Sequence, residues 1–331
     1  MTDIAFFTRL LDAASPAERF RLAAEQIQHA ERHGFARAWV AQHHFRAEEG
    51  GLPSPFVLLA SVSERTSSIR LGTGVITLTL EDPVRVAEDA VVADLLSGGR
   101  IDLGLGSGGT PTSFAPFGLA LENKTADYER KLEVLVDALA GRDLGAGNTL
   151  YPAAGSLVDR VWQATFSAGG GTRAGRHGHG LLLSRTQPRS SGREQASLHE
   201  IQQPIVDAYL DALPDGVEPR ITASRTVFVA DDRDEALRFA DVGLRRQAAL
   251  FGVAEDAPLD ELIRRSDTHL GTADEVVESL ANDRTLEHAD EVAIQVHSVD
   301  APHEHVLRSL ELFASQVAPR FGWGGSAAGG A

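Results

Sequence analysis

Cysteine is absent from the 331 residues, which excludes disulfides, thiolate metal sites and a cysteine nucleophile. Lysine occurs only at Lys124 and Lys131, and no basic run is present. With a net charge of -16, the chain lacks the field that draws nucleic acid or an anionic membrane, so neither is expected as a partner. No apolar run reaches membrane-spanning length, and the first residues lack the charged-then-apolar layout of a signal peptide. A cytoplasmic location is the expectation. Familiar chemistries are missing too. No Gly-x-Ser-x-Gly elbow marks a hydrolase. His29-x-x-x-His33, His177-Gly178-His179 and His303-Glu304-His305 have neither the partners nor the positions of a zinc site, so no metal is expected.

What is present is a regular alternation. Hydrophobic residues make up 43% of the chain, enough for a large core. Eight short apolar runs predict strands at Ile4–Phe7, Ala38–Ala41, Ile69–Leu78, Ile101–Gly106, Val161–Phe166, Leu181–Ser184, Ile221–Ala230 and Val292–Val296. Helical patterns separate them, several with readable starts: Ser15-Pro16-Ala17-Glu18 and Thr272-Ala273-Asp274-Glu275 are capping boxes. Strands alternating with helices predict a parallel sheet, and eight is the number that closes into a single (β/α)8 TIM barrel. An open doubly wound sheet is the alternative. The barrel is expected to span 1–321, with loop insertions at its C-terminal face and a disordered small-residue tail, 322–331.

The stretch from Ile69 to Gly109 organises the rest. A β-branched run ends in Gly72-Thr73-Gly74, Asp82-Pro83 opens a helix, Gly98-Gly99 stops it, and a second run ends in Gly104-Leu105-Gly106-Ser107-Gly108-Gly109. Glycines at both strand ends let the backbone approach something flat or anionic. In such a barrel the active site lies at the carboxyl ends of the strands. That rule selects His43 and His44, Thr73 and Gly74, Gly106 to Gly109, Phe166 to Thr172, Ser184 and Arg185, and His297. Only one of the adjacent histidines is expected to face the pocket, because side chains diverge on an extended segment.

Gly104-x-Gly106-x-x-Gly109 spells a dinucleotide fingerprint, but Pro111 and Pro116 prevent a helix from opening directly behind it. Ser167-Ala168-Gly169-Gly170-Gly171-Thr172 has the better context, since a strand precedes it and a helix follows at once. Free N–H groups at a helix start suit one phosphate, although a flexible turn without a ligand fits the same letters. Lys124 and Tyr128, one helical turn apart, are candidates for the same phosphate.

"LGTGV" followed by "DPVRVAEDAVVADLLSGGRIDLGLGSG" resembles the strand–helix–strand signature of the bacterial luciferase-like flavin monooxygenases, and the likeness extends from Ile4 to about Phe321. The resemblance implies reduced FMN as cofactor, its phosphate at Ser167, Ala168, Gly169 and Gly170. It places a non-proline cis peptide that supports the flavin ring at Thr73-Gly74, with Gly106 and Ser107 against the ring. Ser107, Thr110 and Thr112 are further candidates for the ring's polar edge or the substrate. His43 matches the first histidine of the family's Glu-His-His-Phe and is the implied catalytic residue, holding or delivering a proton, a role that a near-neutral pKa suits. Here Gln42 replaces the family's glutamate, which removes a charge that raises a histidine pKa. The implied reaction oxygenates a small organic substrate with O2, reduced flavin arriving from a separate reductase, in a homodimer paired through helices two and three. The same barrel also hosts hydride transfer from the deazaflavin F420, and a flavin-binding protein without catalysis is a third possibility.

Overall fold

The structure, a computed structural model, describes residues 1–324; the rest of the expected tail, from residue 325, lies outside the described residues. Eight parallel strands form the barrel: β1 (Asp3–Thr8), β2 (Arg37–Val40), β3 (Arg70–Thr73), β4 (Ile101–Gly106), β5 (Val161–Ala164), β6 (Gly180–Leu183), β7 (Ile221–Val229) and β8 (Glu291–Gln295). Each pairs with the next, and β8 pairs with both β7 (Glu291 opposite Thr222) and β1 (Asp3 opposite Glu291), so the ring is closed. The open sheet is thereby excluded. Eight apolar runs gave eight barrel strands, each within a few residues of its expected place.

Helices cover the outside, and their starts follow the sequence signals. Asp82 caps the helix Pro83–Leu96 by accepting from the Val84 and Arg85 N–H groups, and Gly98 and Gly99 end it at positive φ (69° and 87°). Thr272 and Glu275 form a full capping box on Ala273–Leu280. Ser15 accepts from the Glu18 N–H, but the Glu18 carboxylate is turned to Arg21, so half of that box forms. The third expected run, Ile69–Leu78, is split: after β3 a two-residue strand, Ile76–Thr77, continues the wall beside β4. One short strand lies outside the expected eight, Thr268–Gly271, which pairs with the C-terminal end of β7. Its four residues, Thr-His-Leu-Gly, carry a single large apolar side chain, too little for a strand period to register.

The N-terminal end of the barrel is plugged by charge. Arg37 pairs with Asp102 at 2.8 Å and with Glu291, and lies over the Trp39 and Trp162 rings, 5.2 Å from each centroid. The indole N–H of Trp39 donates to Glu291 at 2.7 Å. Burial alone would push the Asp102 carboxyl up; Arg37 and Arg70 hold it below the usual range. Breaking one member of such a buried set typically costs ~3–5 kcal/mol, because the remaining charge is stranded. The two tryptophans above this plug meet edge to face, 5.7 Å between centroids, and Trp39 reaches the floor of the site. Two glycines exist for them: a Cβ on Gly72 would sit 2.2 Å from the Trp39 ring, and one on Gly180 would sit 2.1 Å from that of Trp162. The flat object that Gly72 accommodates is therefore the protein's own indole.

Candidate active site

Above the tryptophans, at the carboxyl ends of the strands, is a cavity of about 570 Å³. This is the face where barrel enzymes place their chemistry, and its volume is ordinary for a small-molecule site. Its floor is apolar, from Phe7, Trp39, Ala164, Leu182 and Ala293. Polar groups converge on it from His43, Arg9, Arg185 and Ser224.

Both histidines line the cavity. The divergence expected of an extended segment does not occur, because the chain leaves β2, ties the His43 N–H to Leu52 O at 3.0 Å, and turns at Phe45 with φ +69°. His44 packs edge-on to Phe117, 5.1 Å between centroids. The His43 imidazole is a quarter exposed, its Nδ1 3.7 Å from Glu49. Burial, with Arg9, His44 and Arg185 nearby, lowers its pKa to about 3. It is therefore neutral at physiological pH, not poised near neutrality.

Gln42 behaves as a clamp. Its carbonyl accepts the Thr77 N–H at 2.7 Å, and its amide donates to Glu81 at 2.7 Å and to Pro53 O at 3.0 Å. A glutamate there would set two carboxylates against each other. Thr77 and Leu80 line the cavity, so the clamp fixes one of its walls.

The non-proline cis bond is present but one residue further on, at Gly74–Val75 instead of Thr73–Gly74. Thr73 is locked into the barrel wall, its hydroxyl donating to Gly104 O at 2.8 Å and accepting from Gly104 N at 2.9 Å. The Gly74 N–H donates to Val40 O at 2.7 Å, so the ladder runs through Thr73–Gly74 and the chain turns only afterwards. Gly74 lines the cavity, where an added Cβ would lie 3.0 Å from the Phe7 ring. Gly106 is covered by Val75, whose Cγ2 is 2.6 Å from where a Cβ would stand. Neither Gly106 nor Ser107 lines the cavity; Gly108, Gly109 and Thr110 do.

At the end of β5, Ser167 caps the helix Ala168–Arg176 by accepting from the Gly170 N–H at 3.2 Å. Among the described residues the N–H groups of Ala168 and Gly169 have no hydrogen-bond partner, and both residues are exposed. Gly170 is fixed as glycine by Thr165, whose Oγ1 is 1.9 Å from the site of a Cβ. This corner adjoins the cavity through Phe166. Lys124 donates to Gly108 O at 3.3 Å. Tyr128 is buried, with Arg173 stacked on its ring at 4.7 Å and its hydroxyl donating to Gln163 at 3.3 Å. Its role in the structure is to brace Gln163 and Arg173 below that corner.

His297 is not on the cavity; it is fully buried with Nε2 3.4 Å from Asp12 and 3.3 Å from Gln26. Arg9, just past β1, was passed over in the sequence, although the rule that singled out Arg185 applies equally to it. After Gly109 comes a single-turn helix, Pro111–Ser113, and no α-helix until Lys124, so the dinucleotide spelling has no dinucleotide geometry.

The profile of the family described as "Luciferase-like monooxygenase" matches residues 2–313. The chain belongs to that family. It is thus an oxidoreductase of the kind that incorporates molecular oxygen. It is 31% identical over 315 residues to a 4-hydroxyprotoasukamycin monooxygenase of Streptomyces nodosus subsp. asukaensis, covering 87% of this chain and 83% of the relative. A limonene 1,2-monooxygenase of Rhodococcus erythropolis is 28% identical over 323 residues, 90% and 80% of the two chains. A monooxygenase of Streptomyces bottropensis superposes with a TM-score of 0.80 at 25% identity, covering 97% and 100%. Two further structures share the fold at lower identity. The oxygenating constituent of a Pseudomonas putida 3,6-diketocamphane monooxygenase, in complex with FMN, has a TM-score of 0.75 at 18% identity, covering 96% and 98%. An F420-dependent reductase of Methanopyrus kandleri has 0.69 at 19%, covering 97% and 99%. Among the described residues no helix is long and apolar enough to cross a membrane.

Proposed function

We propose that this family member is an FMN-dependent monooxygenase that uses reduced flavin and O2 to oxygenate a small organic substrate in the cytoplasm. The observation that carries the reading is the joining of two features: an apolar-floored cavity beside Gly74–Val75, and two unpaired N–H groups at the start of a capped helix next to it. An isoalloxazine ring needs a flat apolar shelf, and its side chain needs a single phosphate site within reach. The ring would rest against Gly74, Val75 and the Gly108–Gly109 backbone, and the phosphate at Ser167, Ala168, Gly169 and Gly170, with Lys124 nearby. Thr73, Gly106 and Ser107 would support this shelf from behind, and Tyr128 would act through Arg173. The bound flavin would supply the electrons that activate O2.

The protein's own residues supply order and dryness. Phe7, Trp39, Leu182 and Ala293 exclude water from the floor. A neutral His43 offers one donor and one acceptor nitrogen at the reacting oxygen, holding a proton there without adding charge. Among the described residues no dinucleotide geometry accompanies the cavity, and reduced flavin would come from a separate reductase. Val57 on the second helix, Pro55–Ser63, and Val92, Leu95 and Leu96 on the third, Pro83–Leu96, are large and exposed and would pair two copies into a homodimer.

The test is oxygen consumption by the purified protein. Pre-reduced FMN should support it and NADH alone should not. Steady NADH oxidation by the protein unaided, or a response to reduced F420 and none to FMN, would reject the reading.

A further inference from the structure

One side of the cavity mouth carries positive charge that nothing among the described residues neutralises at contact distance. Arg9 follows β1 and Arg185 follows β6, and both line the cavity. Arg185 is only 4% exposed. Among the described residues its one side-chain hydrogen bond runs from Nη1 to Thr226 Oγ1 at 3.2 Å, and Arg9 donates through Nη2 to the backbone oxygen of Glu49 at 3.2 Å. Neither guanidinium forms an ion pair among the described residues. The nearby carboxylates are engaged elsewhere: Asp300 is paired with Arg246 at 3.3 Å, and Glu49 accepts from Thr110 at 3.0 Å and faces His43. A guanidinium has five N–H donors, and burying one with most of them unused is costly unless a ligand completes the set. Two more polar atoms wait on the same cavity, Ser224 Oγ and Gln247 Oε1, each buried without a partner.

This cationic wall belongs to β6, β7 and β1, whereas the shelf proposed for the flavin ring lies along β3 and β4 and the phosphate corner follows β5. The arginines are therefore left for the other reactant. We propose that Arg9 and Arg185 bind the anionic end of the substrate, which is an organic acid, carboxylate or sulfonate, with its apolar part lying over Phe7, Trp39 and Leu182. A guanidinium offers such an end two parallel N–H donors, which fixes orientation as well as affinity. Burial and the neighbouring Arg9 lower the Arg185 pKa to about 9, so the charge remains in place at neutral pH. The proposal rests on the monooxygenase reading for its chemistry but not for its binding.

Calorimetric titration with octanoate, 1-octanesulfonate and the neutral octanamide separates the two. Each is added to the flavin-free protein and, without oxygen, to protein saturated with reduced FMN. For the wild type at least one acid should bind about tenfold or more tighter than the amide, about 1.4 kcal/mol. The better acid identifies the head group. Arg185→Gln should shrink that preference to within about threefold while leaving reduced-FMN affinity within about threefold. Arg9→Gln should act in the same direction, and Arg185→Lys, which retains charge, should retain part of the preference if the glutamine variant does not fold. The proposal is overturned if neither acid binds at millimolar concentration, if the amide binds as well, or if Arg185→Gln leaves the preference intact. A variant that loses reduced FMN and keeps the acid preference also overturns it, since the arginines would then serve the cofactor. Acid preference in a wild type that binds no reduced FMN would instead remove the cofactor reading and leave this one standing.

Discussion

The side-chain amide of Gln42 donates to Glu81 at 2.7 Å while its carbonyl accepts the Thr77 N–H at the same distance. One residue thereby ties the end of β2 to the segment after β3, directly behind His43. Its amide matters for what it lets Glu81 be, a carboxylate with a donor in front of it. Gln42→Glu restores the resemblance to the family motif and is expected to harm this protein. Two carboxylates would compete for one proton, and the loss should be about 1–3 kcal/mol at pH 7 in urea unfolding, shrinking as the pair protonates in acid. Equal stability of the two proteins at pH 7 would contradict the clamp.

His43→Ala should separate binding from chemistry. Oxygenation supported by reduced FMN should fall by roughly 10²–10⁴-fold, the usual worth of a positioned proton carrier, while reduced-FMN affinity changes little. Because the pKa of His43 lies near 3, activity of the wild type should show no His43 limb between pH 5 and 8. A bell with an acid limb near 6.5 that vanishes in the variant would show that this histidine titrates normally.

Acid stability follows from buried neutral histidines. His43 and His179 are lowered to about 3 and His269 to about 4, each chiefly by burial, from an ordinary 6.5. The folded state binds fewer protons than the unfolded chain below pH 6.5, so their contribution is complete above that value and is lost as pH falls toward 3 to 4. Asp300, raised to about 6 by burial, acts the other way, favouring the folded state below its ordinary 3.8 and losing that contribution as pH rises through 6. Burial also lowers His29, His44, His177 and His297 and raises Asp267 and Glu291, so lowered histidines outnumber raised carboxyls and the urea midpoint should fall between pH 6.5 and 4. His269→Asn, which keeps a polar partner for Ser279 (2.8 Å from Nδ1), should flatten that fall.

Leu95 and Leu96 are more than half exposed at the end of the helix Pro83–Leu96. If they pair two copies, Leu95→Asp with Leu96→Asp should shift the protein from dimer to monomer in sedimentation velocity, with the barrel's circular dichroism retained. A wild type that sediments as a monomer at micromolar concentration would remove the dimer.

Much of this was legible beforehand because the signals are local. Asp82-Pro83 and Gly98-Gly99 announce a helix start and stop whatever surrounds them, and eight apolar runs fix the strand count. Strand ends gave His43, Gly74 and Arg185 as candidates with no knowledge of their neighbours. What could not be read depends on contacts distant in sequence. Gly72 is glycine for Trp39, a partner 33 residues away in the chain. Tyr128 points inward because Gln163 accepts its hydroxyl, and the depressed pKa of His43 depends first on its burial and then on Arg9 and Arg185, which come from parts of the chain far apart in sequence. The position of the cis bond was missed by one residue because the letters do not reveal which peptide the Val40 carbonyl holds.

The central claim is that the helix start at Ser167–Gly170 receives one phosphate and the cavity beside it receives the ring. Anaerobic fluorescence titration with reduced FMN and with reduced riboflavin, identical but for that phosphate, tests it most directly. Reduced FMN should bind about 10- to 100-fold more tightly, the range that charge-assisted hydrogen bonds to a phosphate supply. Equal affinities for the two flavins would contradict the account.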